Sequence, residues 1–185
     1  MIKTALSRKN TLEEFDTNFL IDVYAKGPAR VKEAINGLNC DELCVFPFQD
    51  KWSIKEIVFH LTESELFGSI RFRQTITKAD SEFPYYDQDI WTKRLKYQQR
   101  GMYELEDALD IFTLLRKTNT RLLNSLDEEQ WLQTGIHPEK GIMNLRQLLE
   151  LYADHSERHI DQILARRRLF GRTLELPEIL PKRLY

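Results

Sequence analysis

The chain has 185 residues, 27 Lys+Arg against 29 Asp+Glu, and 42% hydrophobic residues. That length suits one domain spanning residues 1–185, the apolar content excludes a disordered chain, and a formal net charge of −2 argues against binding nucleic acid by bulk electrostatics. No run approaches the roughly 18 apolar residues of a membrane helix, and the first residues hold no apolar stretch of signal-peptide length, so the sequence reads as soluble and cytoplasmic, with no membrane or nucleic-acid partner.

Residues 1–26 carry an apolar patch, Phe15, Phe19, Leu20, Val23 and Tyr24, that reads as a short helix or as an N-terminal arm packed on the body. The first long helix is predicted to open at Gly27-Pro28, because proline fits the first helical position. Val31, Ala34, Ile35 and Leu38 follow at helical spacing, and Gly37 and Asn39 mark its end. Cys40 and Cys44 are too few for a disulfide framework and match no structural zinc spacing; they read as ordinary thiols.

A second helix opens near Trp52-Ser53, where Ser53 and Glu56 form a capping-box pattern, and runs to about Lys78. Residues 79–101 read as a long loop, with a helical turn or two between Trp91 and Gln99; a connection of that length is often functional. The third helix covers roughly Met102 to Leu126, and Asp127 to Trp131 forms a short helix. Residues 133–143 break the pattern. The fourth helix follows Asn144, a good N-cap, and fades at Arg166-Arg167-Arg168, a run that reads as a solvated helix end. No Val/Ile/Thr-rich stretch alternates with period two, so no sheet is predicted. The expected fold is all-α: a four-helix bundle with an N-terminal arm and long inter-helix loops.

His155 and His159 stand at i and i+4 and so share one helix face. They fall on the apolar stripe of Leu148, Leu149, Tyr152 and Ile163, which places them toward the interior, where a polar group needs a partner. His60 borders the apolar face of the second helix. Three imidazoles from two facing helices suit a divalent cation, and a site with three protein ligands and an open position is the catalytic kind. The alternatives are core histidines satisfied by hydrogen bonds to Glu63, Glu65, Ser64 or Asp154, and a metal-binding or structural bundle without turnover. Glu63, Glu65 and Asp154 lie near these histidines in sequence and are candidate bases or orienting groups. Glu157 stands two residues after His155 rather than directly after it, which departs from the H-E-x-x-H protease pattern.

Trp52-Ser53-Ile54-Lys55-Glu56-Ile57-Val58-Phe59-His60-Leu61 with Glu63-Ser64-Glu65 resembles the second-helix motif of the DinB-like superfamily, and His155-x3-His159-Ile160-Asp161-Gln162-Ile163 resembles its fourth-helix motif. Ile70-Arg71-Phe72-Arg73, Tyr86-Asp87-x3-Trp91 and His137-Pro138 extend the likeness to the YfiT-type branch. The resemblance implies a four-helix bundle holding a divalent metal (zinc, nickel or manganese) on His60, His155 and His159. It further implies a homodimer and a small-molecule substrate. The activity would be hydrolysis, or transfer of a low-molecular-weight thiol such as bacillithiol to an electrophile. Beside the resemblance, Tyr86, Asp87 and Trp91 in the long loop are candidates to wall the pocket or bind substrate, or else simply anchor the loop with their rings. Arg71 and Arg73 are candidates to contact a carboxylate-bearing thiol, with an exposed helix face expected for at least one of them. His137 stands in a loop that suits an exposed histidine, with a fourth imidazole near the site as the alternative.

Overall fold

The structure, a computed structural model, describes residues 15–49 and 51–181. Four long helices form the body: α1 (Thr17–Ile35), α3 (Ile54–Thr77), α5 (Met102–Leu123) and α7 (Leu145–Leu169). Shorter elements fill the connections: α2 (Cys40–Cys44), β1 (Ser81–Glu82), α4 (Gln88–Arg94), a 3-10 turn at Tyr97–Gln99, α6 (Glu128–Leu132), β2 (Thr134–His137) and β3 (Gly141–Asn144). Helix α1 packs on α5 and α7, and α3 packs on the same two. The successive long helices α1 and α3 therefore lie across a diagonal, as do α5 and α7, and their connections cross the ends of the bundle. The two histidine-bearing helices, α3 and α7, are neighbours.

Local chemistry sets the helix starts. Ser53 accepts from Glu56 N while Glu56 reaches back to Ser53 N, and Asn144 and Gln147 repeat the arrangement at α7. Asp16 caps α1, accepting from Phe19 N at 2.7 Å. This corrects the predicted opening at Gly27-Pro28: Pro28 lies inside α1, and the apolar patch of the supposed arm is largely the helix's first half. The part of the arm before Phe15 lies outside the described residues.

A small three-stranded sheet also departs from the prediction. Strands β2 and β3 form an antiparallel hairpin, and β1 joins β2 in parallel. Its strands span two to four residues, too short to leave a period-two signature. Gly141, at φ 75°, supplies the left-handed residue that starts β3.

The core falls into two apolar clusters. One gathers Val31, Ile57, Leu61, Leu105, Phe112 and Ile163; the other gathers Leu20, Phe72, Leu123, Leu148, Leu149 and Tyr152. Between them along the helices sits a buried polar layer. Arg116 Nε donates to Glu65 Oε2 at 2.8 Å and Nη1 to Ser156 Oγ at 3.0 Å. Asn119 donates to Tyr24 Oη, Glu65 Oε1 and Ser69 Oγ, and Tyr24 Oη also donates to Glu65.

The arginine run is not a solvated end. Arg166 and Arg167 are buried. Arg166 donates to Trp52 O, and Arg167 donates to Ala34 O and Asn36 O at the end of α1. Only Arg168 of the three faces solvent.

Candidate metal centre

Helix α3 presents His60, and α7 presents His155 and His159 from successive turns. The Nε2 of His155 lies 3.0 Å from His60 Nε2 and 3.1 Å from His159 Nε2. One ligating nitrogen from each of the three histidines falls within 4.8 Å of the other two. Nitrogens around one tetrahedral zinc, each about 2.0–2.1 Å from it, stand roughly 3.3 Å apart, so this spacing fits a single small cation.

The outward nitrogens are held as such a site requires. His159 Nδ1 faces Gln162 Oε1 at 3.2 Å; an amide oxygen only accepts, so the proton sits on Nδ1 and the Nε2 lone pair points inward. His60 Nδ1 is hydrogen-bonded to Tyr86 Oη at 3.0 Å. Trp52 packs on His60 and His159 with ring centroids 4.7 and 6.2 Å away. Burial holds all three histidines neutral. It pushes His60 and His155 well below the ordinary 6.5, and His159, beside Arg158, to about 3. Neutral imidazoles are the ligating form.

The three histidines lie in the wall of a cavity of about 1550 Å³. Trp52, Ser64, Arg71, Tyr86, Asp87, His137, Tyr152 and Asp154 also line it, as do residues of the C-terminal stretch 174–181. Ring stacking anchors the loop before α4: Tyr86 stacks on Phe67 at 4.6 Å, and Trp91 meets both edge-on at 5.2 Å. Asp87 caps α4, accepting from Ile90 N at 2.9 Å.

A DinB superfamily model matches residues 24–163. The chain belongs to that superfamily. YfiT of Bacillus subtilis, provisionally named a metal-dependent hydrolase, is 29% identical over 153 residues, 82% of this chain and 84% of that one. A relative in Halalkalibacterium halodurans, with the same provisional name, is 24% identical over 152 residues, covering 82% of this chain and 86% of its own. The solved structure of Bacillus subtilis YfiT, described as an unusual four-helix bundle topology, matches with a TM-score of 0.78 at 24% identity, over 92% of this chain and 93% of that one. The four-helix bundle is thus shared, and a divalent metal at the three histidines agrees with the relatives' naming.

The other sequence candidates separate in space. Asp154 lines the cavity, buried and ion-paired to Arg158 Nε at 3.0 Å. Glu63 is absent from the cavity lining, stands 3.9 Å from Arg100, and is pushed above its usual range by burial. Glu65 does not face the cavity either; its carboxylate belongs to the polar layer with Arg116. Tyr86, Asp87 and Arg71 line the cavity, whereas Trp91 stands behind Tyr86. His137 lines it beside Arg71 rather than beside the other histidines. Sequence reasoning did not single out Gln162, Trp52 or Tyr152 as site residues. Gln162 had a signal, since it stands one helical turn after His159.

Proposed function

We propose that this chain is a metal-dependent enzyme that activates a small nucleophile, water or a low-molecular-weight thiol, against an electrophilic small molecule. The observation that carries the proposal is the convergence of three neutral Nε2 donors in the wall of a large cavity, where a bound ion would meet a ligand. A divalent ion held by His60, His155 and His159 would supply Lewis acidity, lowering the pKa of whatever nucleophile it binds.

The chain's own residues do the rest. Gln162 and Tyr86 fix the outward ring nitrogens of His159 and His60, and Trp52 packs against two of the rings. Of the three carboxylates singled out from the sequence, Asp154 lines the cavity and Glu63 and Glu65 do not, so Asp154 is the one we assign to proton transfer or ligand orientation.

Hydrolysis is favoured by the naming of the relatives. Thiol transfer is favoured by volume: about 1550 Å³ exceeds the roughly 300–1,000 Å³ of a typical single-ligand pocket and leaves room for two reactants. The reading extends to a cytoplasmic homodimer holding zinc, nickel or manganese, as the resemblance implies.

The test is elemental analysis of protein purified without chelator or nickel resin, beside a His155→Ala variant. About one divalent ion per wild-type chain, lost in the variant, is the expected result. Conjugation of a small thiol to bromobimane and hydrolysis of an aryl ester by the loaded protein then separate the branches. A chain that takes up no ion even when offered zinc, nickel and manganese would overturn the proposal. Uptake without either activity would favour the non-catalytic bundle.

A further inference from the structure

Arg71 follows His60 on α3 by eleven residues, three turns along the same face and about 16 Å along the axis. It lines the same cavity and is 5% exposed. Nη1 donates to Tyr152 Oη at 3.0 Å, and Nη2 donates to Pro84 O at 3.0 Å. The rings of Phe67 and Phe83 each lie 5.7 Å from its central carbon. Nε has no hydrogen-bond partner, and no carboxylate pairs with this guanidinium among the described residues. Arg116, equally deep, has Glu65; Arg71 is a buried cation without a counter-charge.

The neighbouring histidine sharpens the imbalance. His137 Nδ1 faces the backbone N–H of Glu139 at 3.2 Å, and its Nε2 faces Arg71 Nη1, also at 3.2 Å. Burial, then Arg71 itself, push His137 down to about 4, so its ring is neutral. A neutral imidazole carries one N–H and accepts at only one nitrogen, yet donors stand at both. The cluster therefore holds more N–H groups than acceptors, at a cavity wall, around an uncompensated positive charge. An anionic oxygen pair is what it lacks, and a planar guanidinium matches a carboxylate in two-point geometry.

We propose that Arg71, flanked by His137 and Tyr152, binds a carboxylate of the ligand whose other end reacts at the three histidines. This rests on the metal-dependent reading above. Side chains on a helix lean toward its N-terminus, so Arg71 reaches back toward His60, and the carboxylate lies on the order of 10 Å from the reacting atom. The ligand is thus an extended small molecule with an acidic end. That end belongs either to the thiol or to the electrophile.

The test uses the zinc-loaded full chain. Binding of 8-mercaptooctanoate and 8-mercaptooctanol is measured by calorimetry, and hydrolysis of p-nitrophenyl hydrogen suberate is compared with that of p-nitrophenyl octanoate. The acid is expected to outperform its uncharged partner about tenfold, the scale of one charge-assisted contact, in at least one pair. An advantage in the thiol pair places the carboxylate on the thiol; an advantage in the ester pair places it on the substrate. Arg71→Met should abolish the advantage, and Arg71→Lys should keep part of it, with zinc content unchanged in both. Equal performance within both pairs by wild type holding its zinc overturns the carboxylate subsite and leaves the metal reading intact. Failure to hold zinc overturns both. The wild-type comparison decides the matter even if Arg71→Met does not fold.

Discussion

Arg116 Nη1 donates to the backbone carbonyl of Tyr24 at 2.8 Å, the carbonyl that Pro28, four residues on, cannot serve. An interior proline removes one helical hydrogen bond and ordinarily costs about 3 kcal/mol or more; here a guanidinium from α5 replaces the missing donor. The same side chain donates to Glu65, Ser156 and Tyr152 O, so it joins α1, α3 and α7 through one buried charge. Removing it strands Glu65. Arg116→Met is therefore expected to cost about 3–5 kcal/mol, the usual scale for breaking a buried pair, and Glu65→Gln in that background should restore part of the loss. Pro28→Ala should change stability by less than about 1.5 kcal/mol, one ordinary hydrogen bond, because Tyr24 O is already engaged. Thermal and urea unfolding of the three variants checks this; a mild Arg116→Met would sink it.

The partners of the histidines give a second prediction. Gln162→Leu removes the acceptor at His159 Nδ1, and Tyr86→Phe removes the hydroxyl at His60 Nδ1. Neither residue is a candidate metal ligand. Each change should weaken zinc affinity by about 10–100-fold, the range for loss of a partner that orients a ligand, with little effect on the fold. Competition with a chromophoric chelator reads the affinity directly. Unchanged affinity in both variants would mean that the rings are held by packing against Trp52 alone.

Much of the architecture was legible because its signals are local. Ser53 with Glu56 and Asn144 with Gln147 announce the starts of α3 and α7. His155 and His159 share a face by spacing alone, and the apolar stripe around them turns that face inward. What was hidden depends on contacts far apart in the chain. Pro28 reads as a helix start because the group that accommodates it, Arg116, bonds a carbonyl 92 residues away. Glu65 reads as a candidate base because its sequence neighbours the histidine, yet five positions on a helix turn it toward the polar layer instead of the cavity. Arg166 and Arg167 look solvated because nothing local shows the carbonyls of Trp52, Ala34 and Asn36 waiting for them. Strands of two to four residues carry too few side chains for alternation to register.

Acid should destabilise the metal-free protein before its carboxylates titrate. The folded chain holds His60, His155, His159 and His137 below the ordinary 6.5, with His137 at about 4 and His159 at about 3. Below about pH 6.5 the unfolded chain binds protons at these positions and the folded chain does not, so stability falls as pH falls. It is complete above that value and declines toward the folded pKa values. Glu63 and Glu157, which burial raises above 4.5, act in the opposite sense nearer their own range, so the slope is steepest between about pH 6.5 and 5. The melting temperature of metal-free protein should therefore drop across that window, and His137→Gln should flatten part of the drop. A flat profile would mean that these rings already take up protons in the folded state.

The arginine run makes the last prediction, because its reading changes from a charged surface to a structural clamp. Arg167 Nη1 donates to Ala34 O at 3.0 Å and Asn36 O at 2.8 Å, and Nε donates to Arg172 O at 2.9 Å. The end of a helix leaves carbonyls without partners, and here a buried cation from α7 satisfies the end of α1. Arg167→Met leaves those carbonyls unserved and should cost about 1.5–3 kcal/mol, the scale of hydrogen bonds to a charged donor. Arg168 faces solvent, and Arg168→Met should stay within about 0.5 kcal/mol, as surface changes usually do. Were the run a surface for polyanions, the ranking would invert. Arg168→Met would then weaken retention on heparin at low salt, and Arg167→Met would leave the melting temperature alone. Melting temperature and heparin retention of the two variants, measured together, distinguish a clamp from a binding face.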